Sequence, residues 1–271
     1  MKKTQAAAFL AVSALALVAA QGAQAADLPR KAPIAAPIVA PVYNWTGFYV
    51  GVHAGYGWSD VDAATTFLPT PAAFLADNFA YGFDADGFLA GGQIGFNYQI
   101  ANWLLGIEAD ISWADINGGA TVAPMTFLGA PLAGSFHTSS FDMNWFGTLR
   151  GRLGFTANQL LIYVTGGLAF ADIDYAARTF FAPGAFDYVG SGSSTEVGWT
   201  LGGGVEWAFA PNWSAKFEYL YYDLGDTTII QNPVAPNPPF QVATNFDNAG
   251  HIVRVGLNYR FGWGGPVVAR Y

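Results

Sequence analysis

Three histidines, His53, His137 and His251, are the side chains in this sequence best suited to proton transfer or metal ligation. They lie far apart, and no pair has the short spacing of a zinc or haem ligand set. His137 falls in a segment that reads as an exposed connection, which makes it the most accessible axial ligand, but no second ligand follows it by spacing. His251 could serve as a general base if Ser139, Ser140 or Ser194 reached it, because an activated hydroxyl needs a base within hydrogen-bond reach. Their spacing gives no reason for such a meeting. With no cysteine in the chain, disulfides and thiolate metal sites are excluded. The runs Gly166-Gly167 and Gly202-Gly203-Gly204 lack the Lys-Ser/Thr ending of a phosphate loop and fit a curved sheet instead. The expectation is therefore a protein without a catalytic, cofactor or metal site.

The remaining chemistry is ionic. Glu108, Asp110, Arg150, Arg152, Glu206, Lys216, Glu218, Arg254 and Arg260 share the sequence parity of neighbouring glycines, while Trp, Phe, Tyr, Leu and Val occupy the opposite parity. Five bases and four acids on one face predict a network of paired charges that plugs an interior, with a narrow ion pathway as the alternative. Glu206 and Lys216 stand symmetrically about Pro211 in a short turn, and are expected to be cross-strand partners.

The period of two extends along most of the chain. In 45–58 the even positions are apolar, from Phe48 to Trp58, and the odd ones are mostly small, with Gly47, Gly51, Gly55 and Gly57 among them. The same alternation marks strands near 87–99, 103–113, 142–156, 160–171, 196–209, 213–222 and 250–261, eight in all. Short connections (Gln99 to Asn102, Ala157 to Gln159, Ala210 to Asn212) alternate with long ones near 59–86, 114–141, 172–195 and 223–249. The long ones hold acids such as Asp60, Asp62, Asp77, Asp174, Asp187 and Asp226. They are also rich in phenylalanine, which predicts that they pack on one another over the barrel mouth. An acidic rim of this kind could also hold divalent cations shared with anionic lipid phosphates.

Composition identifies the solvent of the apolar face. Only 11% of residues are charged and 52% are hydrophobic, whereas a soluble barrel needs roughly 25–35% charge on its surface. No apolar run after the amino-terminal segment reaches the ~20 residues of a transmembrane helix, so a chain that spans a membrane must do so as a closed sheet. Residues 1–25 read as a signal peptide: Lys2 and Lys3, an apolar stretch, then Ala23-Gln24-Ala25. Once both lysines leave with it, nine Lys and Arg remain against 19 acids, a formal charge of −10 that disfavours nucleic acid. Prolines 29, 33, 37 and 41 make 26–44 an extended periplasmic leader. Residues 45–261 are the expected barrel and 262–271 a tail. Tyr98, Trp103, Phe155, Phe209, Trp213 and Phe261 sit where strands meet the short turns, as an interfacial aromatic girdle requires.

The last segment, with Arg254, Gly256, Tyr259 and Phe261, resembles the carboxy-terminal signal read by the outer-membrane assembly machinery. Together with Asn44-Trp-Thr-Gly-Phe-Tyr-Val-Gly51 behind the Ala-Asp-Leu-Pro leader, the chain resembles the small outer-membrane β-barrel proteins of alphaproteobacteria. These are the RopB type, akin in architecture to OmpA and OmpX and often labelled porin-family. The ten residues after Phe261 depart from that pattern, since the signal usually ends the chain. The resemblance implies an all-β fold: an eight-stranded antiparallel up-and-down transmembrane β-barrel with short periplasmic turns and long extracellular loops. It also implies contact with outer-membrane lipid and lipopolysaccharide, and with the assembly machinery during insertion. The expected function is structural, supporting envelope integrity, with surface loops available for contact. A narrow porin is the alternative, and a lipid A-modifying enzyme a more distant one.

Overall fold

The structure, a computed structural model, describes residues 43–68, 76–234 and 240–261. The expected signal peptide, leader residues 26–42 and the tail 262–271 lie outside the described residues. The strands are β1 (Gly47–Leu68), β2 (Phe79–Ile100), β3 (Trp103–Val122), β4 (Met125–Phe127), β5 (Ala130–Leu132), β6 (Phe136–Ala157), β7 (Leu160–Phe181), β8 (Phe186–Ala210), β9 (Trp213–Pro233) and β10 (Gln241–Arg260). Eight of them close into a barrel in the order β1-β10-β9-β8-β7-β6-β3-β2, while β4 and β5 form a separate hairpin. All pairings are antiparallel.

The alternation decides which face is which. Along β3, Trp103, Leu105, Ile107, Ile111 and Trp113 are exposed, while Leu104, Glu108 and Ser112 are buried. A slip of one residue would turn every charge onto the apolar surface, so the register is strongly specified. The short turns bring Ala101 and Asn158 to positive φ. Asn102 ties two of the turns together, its Nδ2 donating to Thr156 O at 3.1 Å and its carbonyl accepting from Thr156 N at 2.7 Å.

The outward apolar belt runs from the ring of Tyr98, Trp103, Phe155, Phe209, Trp213 and Phe261 to a second aromatic ring that includes Trp58, Phe88, Trp113, Trp199 and Tyr219. Ten residue steps separate Trp103 from Trp113, about 26 Å for strands tilted by about 40°, which matches the hydrocarbon band of an outer membrane. Above the second ring the outward positions change abruptly to carboxylates: Trp58 gives way to Asp60, Phe88 to Asp86, Trp113 to Asp115 and Phe170 to Asp172.

The long excursions at this end are mostly strand. Residues 59–68, 79–86 and 172–181, read as connections from the sequence, continue the barrel wall as a crown beyond the belt. Between β7 and β8 only the turn Ala182–Gly184 and Ala185 remain. The crown wall is interrupted in the β8–β9 ladder, between Val189↔Asn232 and Trp199↔Asp223, and in the β1–β10 ladder, between Trp58↔His251 and Ala63↔Phe246.

Candidate functional site

The interior is the place where polar side chains converge, and it is layered. At the short-turn mouth Trp45, Leu104, Leu161, Tyr163 and Ala208 form an apolar seal. The indole of Trp45 donates to Asn158 O at 3.1 Å and its backbone N–H to Gln99 Oε1 at 2.8 Å, which draws the end of the leader into the mouth.

Above this seal lies a salt-bridge layer. Glu108 accepts from Arg150 Nη2 at 2.6 Å, Lys216 Nζ at 2.9 Å and the Tyr49 hydroxyl at 2.7 Å. Asp110 pairs with Arg150 Nη2 at 2.9 Å and Arg254 Nη1 at 2.9 Å, and accepts from Thr148 at 2.5 Å. Glu218 meets Arg254 Nη2 at 2.6 Å and Arg150 Nη1 at 3.2 Å, while Glu206 meets Arg152 Nη2 at 2.8 Å. None of these eight residues is more than 8% exposed. Four acids and four bases make the layer neutral, and every carboxylate has a cation within reach, as burial of charge demands.

Two expectations need correction. Arg260 is not part of this layer: it sits at the mouth, where Nη1 donates to Asn44 O, Nη2 donates to Pro211 O at 3.0 Å, and the guanidinium covers the Tyr43 ring at 4.6 Å. Its neighbours at the end of β10 are carbonyls rather than carboxylates, so it holds Tyr43 and Asn44 at the mouth. Glu206 and Lys216 do face each other in the ladder, but their charges go elsewhere. Lys216 reaches across the lumen to Glu108, and Glu206 takes Arg152, Ser214 and Asn258. Side-chain length and barrel tilt, not backbone register, choose the ion partner.

Several members of the layer escaped the sequence reading. Tyr49 bridges Glu108 and Arg152, and Tyr163 donates to Glu218 Oε1 at 2.8 Å while Arg152 lies over its ring at 4.0 Å. Both have glycine parity within their strands, a signal that aromatic character obscured. Gln93, His53, Ser112 and Asn258 extend the network; Gln93 Nε2 donates to Asn258 Oδ1 at 2.6 Å and His53 Nε2 meets Ser112 Oγ at 2.7 Å. The inward glycines make this possible by leaving volume. A Cβ on Gly204 would lie 2.7 Å from the Tyr163 hydroxyl and 2.4 Å from Phe217 O.

The next layer is apolar and includes Leu89, Ile116, Phe141, Phe146, Ile173, Leu220, Phe246 and Ile252, all buried. Above it a hydrogen-bonded belt crosses the crown from Tyr81 through His137, Thr179 and Gln231 to Thr244 and Thr65, with links of 2.7 to 3.1 Å. Finally Phe67, Met125, Phe181, Tyr188 and Val242, joined by Phe79 and Phe186, close the top as the expected aromatic packing.

The structure also places the residues considered for chemistry. His137 is fully buried in that belt, not in an exposed connection, because the strands continue past it; burial pushes its imidazole down to about 4, which keeps it neutral between two neutral partners. His251 lies on the outer surface, stacked on Trp58 and accepting or donating at Nδ1 with Tyr219 at 2.7 Å. Ser139 and Ser194 have inward parity on β6 and β8, on the other side of the wall, and Ser140 is four strands away around the barrel. No nucleophile–base pair is assembled from them. Among the described residues no three of His, Cys, Asp or Glu converge to hold a metal ion.

One crown contact depends on pH. Asp77 accepts the backbone N–H groups of Leu128 and Gly129, each at 2.9 Å, and so ties the start of β2 to the β4–β5 hairpin. The Gly129 N–H, aided by the Thr126 hydroxyl, holds this carboxyl below its ordinary 3.8. A depressed carboxylate stabilises the fold above its unfolded pKa and loses that effect as pH falls through the folded one. Amide-exchange protection at Leu128 and Gly129 is expected to stay constant from neutral pH to about 3.8 and to fall below it. Asp77→Asn should abolish that pH dependence.

A closed ring of eight strands, apolar outside and ionic within, defines a transmembrane β-barrel of the outer membrane. Residues 8–261 match the family described as the outer membrane protein beta-barrel domain. The chain is 36% identical over 259 residues to the 31 kDa outer-membrane immunogenic protein of Brucella melitensis, covering 92% of this chain and 98% of that one. It is 28% identical over 261 residues to the 25 kDa outer-membrane immunogenic protein of Brucella abortus, covering 92% and 96%. With the 22 kDa outer membrane protein of Rhizobium leguminosarum it shares 30% identity over 189 residues, covering 68% and 67%. The chain belongs to this family of alphaproteobacterial outer-membrane β-barrel proteins, and it is an outer-membrane protein of the cell envelope.

Proposed function

We propose that the protein is a non-conducting, non-enzymatic anchor that contributes to envelope integrity and presents its crown to the cell exterior. The observation that carries this reading is the layered lumen: a neutral, water-excluded salt-bridge layer below an apolar one. An ion pathway needs wetted charges, and here the charges are spent on one another. The immunogenic names of the Brucella relatives fit a crown that faces outward, where rigid barrels commonly carry contact surfaces. The aromatic rings would seat the barrel against phospholipid below and lipopolysaccharide above, and Arg254, Gly256, Tyr259 and Phe261 would be read during assembly.

Deletion of the gene separates this role from that of a porin. Cells lacking the protein are expected to take up more of a normally excluded dye and to become more sensitive to detergent. Reduced uptake of small solutes, with an intact barrier to the dye, would point to a porin instead.

A further inference from the structure

Three irregularities of the backbone meet at one point in the crown. The β8–β9 ladder is interrupted between Val189↔Asn232 and Trp199↔Asp223. On β9, Gly225 takes a left-handed φ of 74°. The β9–β10 register shifts between Asp247 and Ala249, where Leu224 and Gly225 on β9 stand opposite the single Asn248, which is turned inward and 1% exposed. Bulges re-aim side chains and cluster at sites, and here they surround Glu196, a carboxylate of inward parity on β8.

Glu196 differs from the charges of the salt-bridge layer. Its Oε1 accepts from the Ser194 hydroxyl at 2.5 Å and the Thr227 hydroxyl at 2.7 Å, both neutral donors. Asn248 directs Nδ2 to Gly225 O at 2.9 Å and to Thr227 Oγ1 at 3.4 Å, which leaves its Oδ1 buried and without a partner. The Tyr175 hydroxyl, on a side chain 2% exposed, lies beside Thr227, Asn248 and Glu196. The result is a cluster of oxygens around one negative charge, beside the interrupted ladder. Buried polar atoms left unsatisfied are costly, and a carboxylate facing the interior needs a counter-charge.

We infer that this seam binds a hard divalent cation of the calcium type, through the Glu196 carboxylate, Asn248 Oδ1 and the hydroxyl oxygens of Tyr175, Thr227 and Ser194. Oxygen donors of mixed charge suit calcium, and a single carboxylate places the affinity in the weak extracellular range, ~0.1–1 mM. Asp223, Asp226 and Asp247, on the outer side of the same wall, raise the local cation concentration without ligating it. This inference is independent of whether the lumen conducts.

The test uses the purified mature chain in detergent, stripped of divalent ions and titrated with terbium while tyrosine is excited. Saturable terbium emission displaced by millimolar calcium is expected. Glu196→Gln should weaken it at least tenfold, Asp226→Asn with Asp247→Asn should change it less than twofold, and Ser194→Asp should tighten it about fivefold, a gain that misfolding cannot mimic. Heat-dependent gel mobility checks that each variant is folded. Wild-type emission in Glu196→Gln, loss confined to the outer double variant, or no saturable emission at all would overturn the assignment.

Discussion

Glu108→Gln is expected to lower the unfolding free energy by about 3–5 kcal/mol, the usual consequence of removing one partner from a buried ionic network. Glu108 holds Arg150 at 2.6 Å, Lys216 at 2.9 Å and Arg152 at 3.4 Å, all with side chains that water does not reach. Without its charge, four buried cations face three carboxylates. The isosteric amide removes the charge while preserving the packing, so a loss of that size would be electrostatic. Urea unfolding of the reconstituted barrel, followed by tryptophan fluorescence, measures it. Combining Glu108→Gln with Lys216→Met restores neutrality and should recover a substantial part of the loss, giving a coupling of about 1–3 kcal/mol in a double-mutant cycle. Additive losses would mean that the two charges act separately.

Phe146→Ala is expected to cost about 3–5 kcal/mol through a different mechanism, the cavity left in the apolar layer. Phe146 is 0% exposed and its ring lies 5.2 Å from that of Tyr222. The site is ringed by stiff strands, so collapse around the missing ring is limited and the upper end of the range applies. The same unfolding measurement checks it, and a loss below ~1 kcal/mol would show that the layer is loosely packed. Since the salt-bridge layer remains beneath it, this variant should not conduct.

How the sequence encodes this arrangement can be judged from particular residues. The belt was legible because lipid permits only apolar side chains on the outer face while the inner face of the belt is mostly small or polar, so Leu105 to Trp113 alternate in kind, with Leu104 of the apolar seal the exception in β3. The charged positions of the lumen were legible for the same reason. Their partners were not: Lys216 on β9 meets Glu108 on β3, four places away around the ring, and no local spacing encodes a contact across the lumen. The crown strands were missed because the membrane no longer enforces contrast there. In 136–141 the inward His137 and Ser139 are as polar as the outward Thr138 and Ser140, so the period of two loses its amplitude. Tyr49 and Tyr163 were overlooked because an aromatic ring suggests lipid, although its hydroxyl can serve an inward carboxylate.

The neutral layer also explains why so many charges are retained. Buried ion pairs seldom stabilise more than an apolar equivalent would, but each pair here fixes the register of strands that glycine-rich faces specify weakly. On the proposed reading the layer serves to hold one barrel registration and one closed lumen together.

The most direct test of that closure is electrical. Purified wild-type protein inserted into planar lipid bilayers is expected to give no steady current above leak, and Arg150→Glu is expected to destabilise the barrel without producing an ion-selective state. A steady, size-selective current through the wild-type protein, with an ion preference that reverses in Arg150→Glu, would contradict the closed lumen.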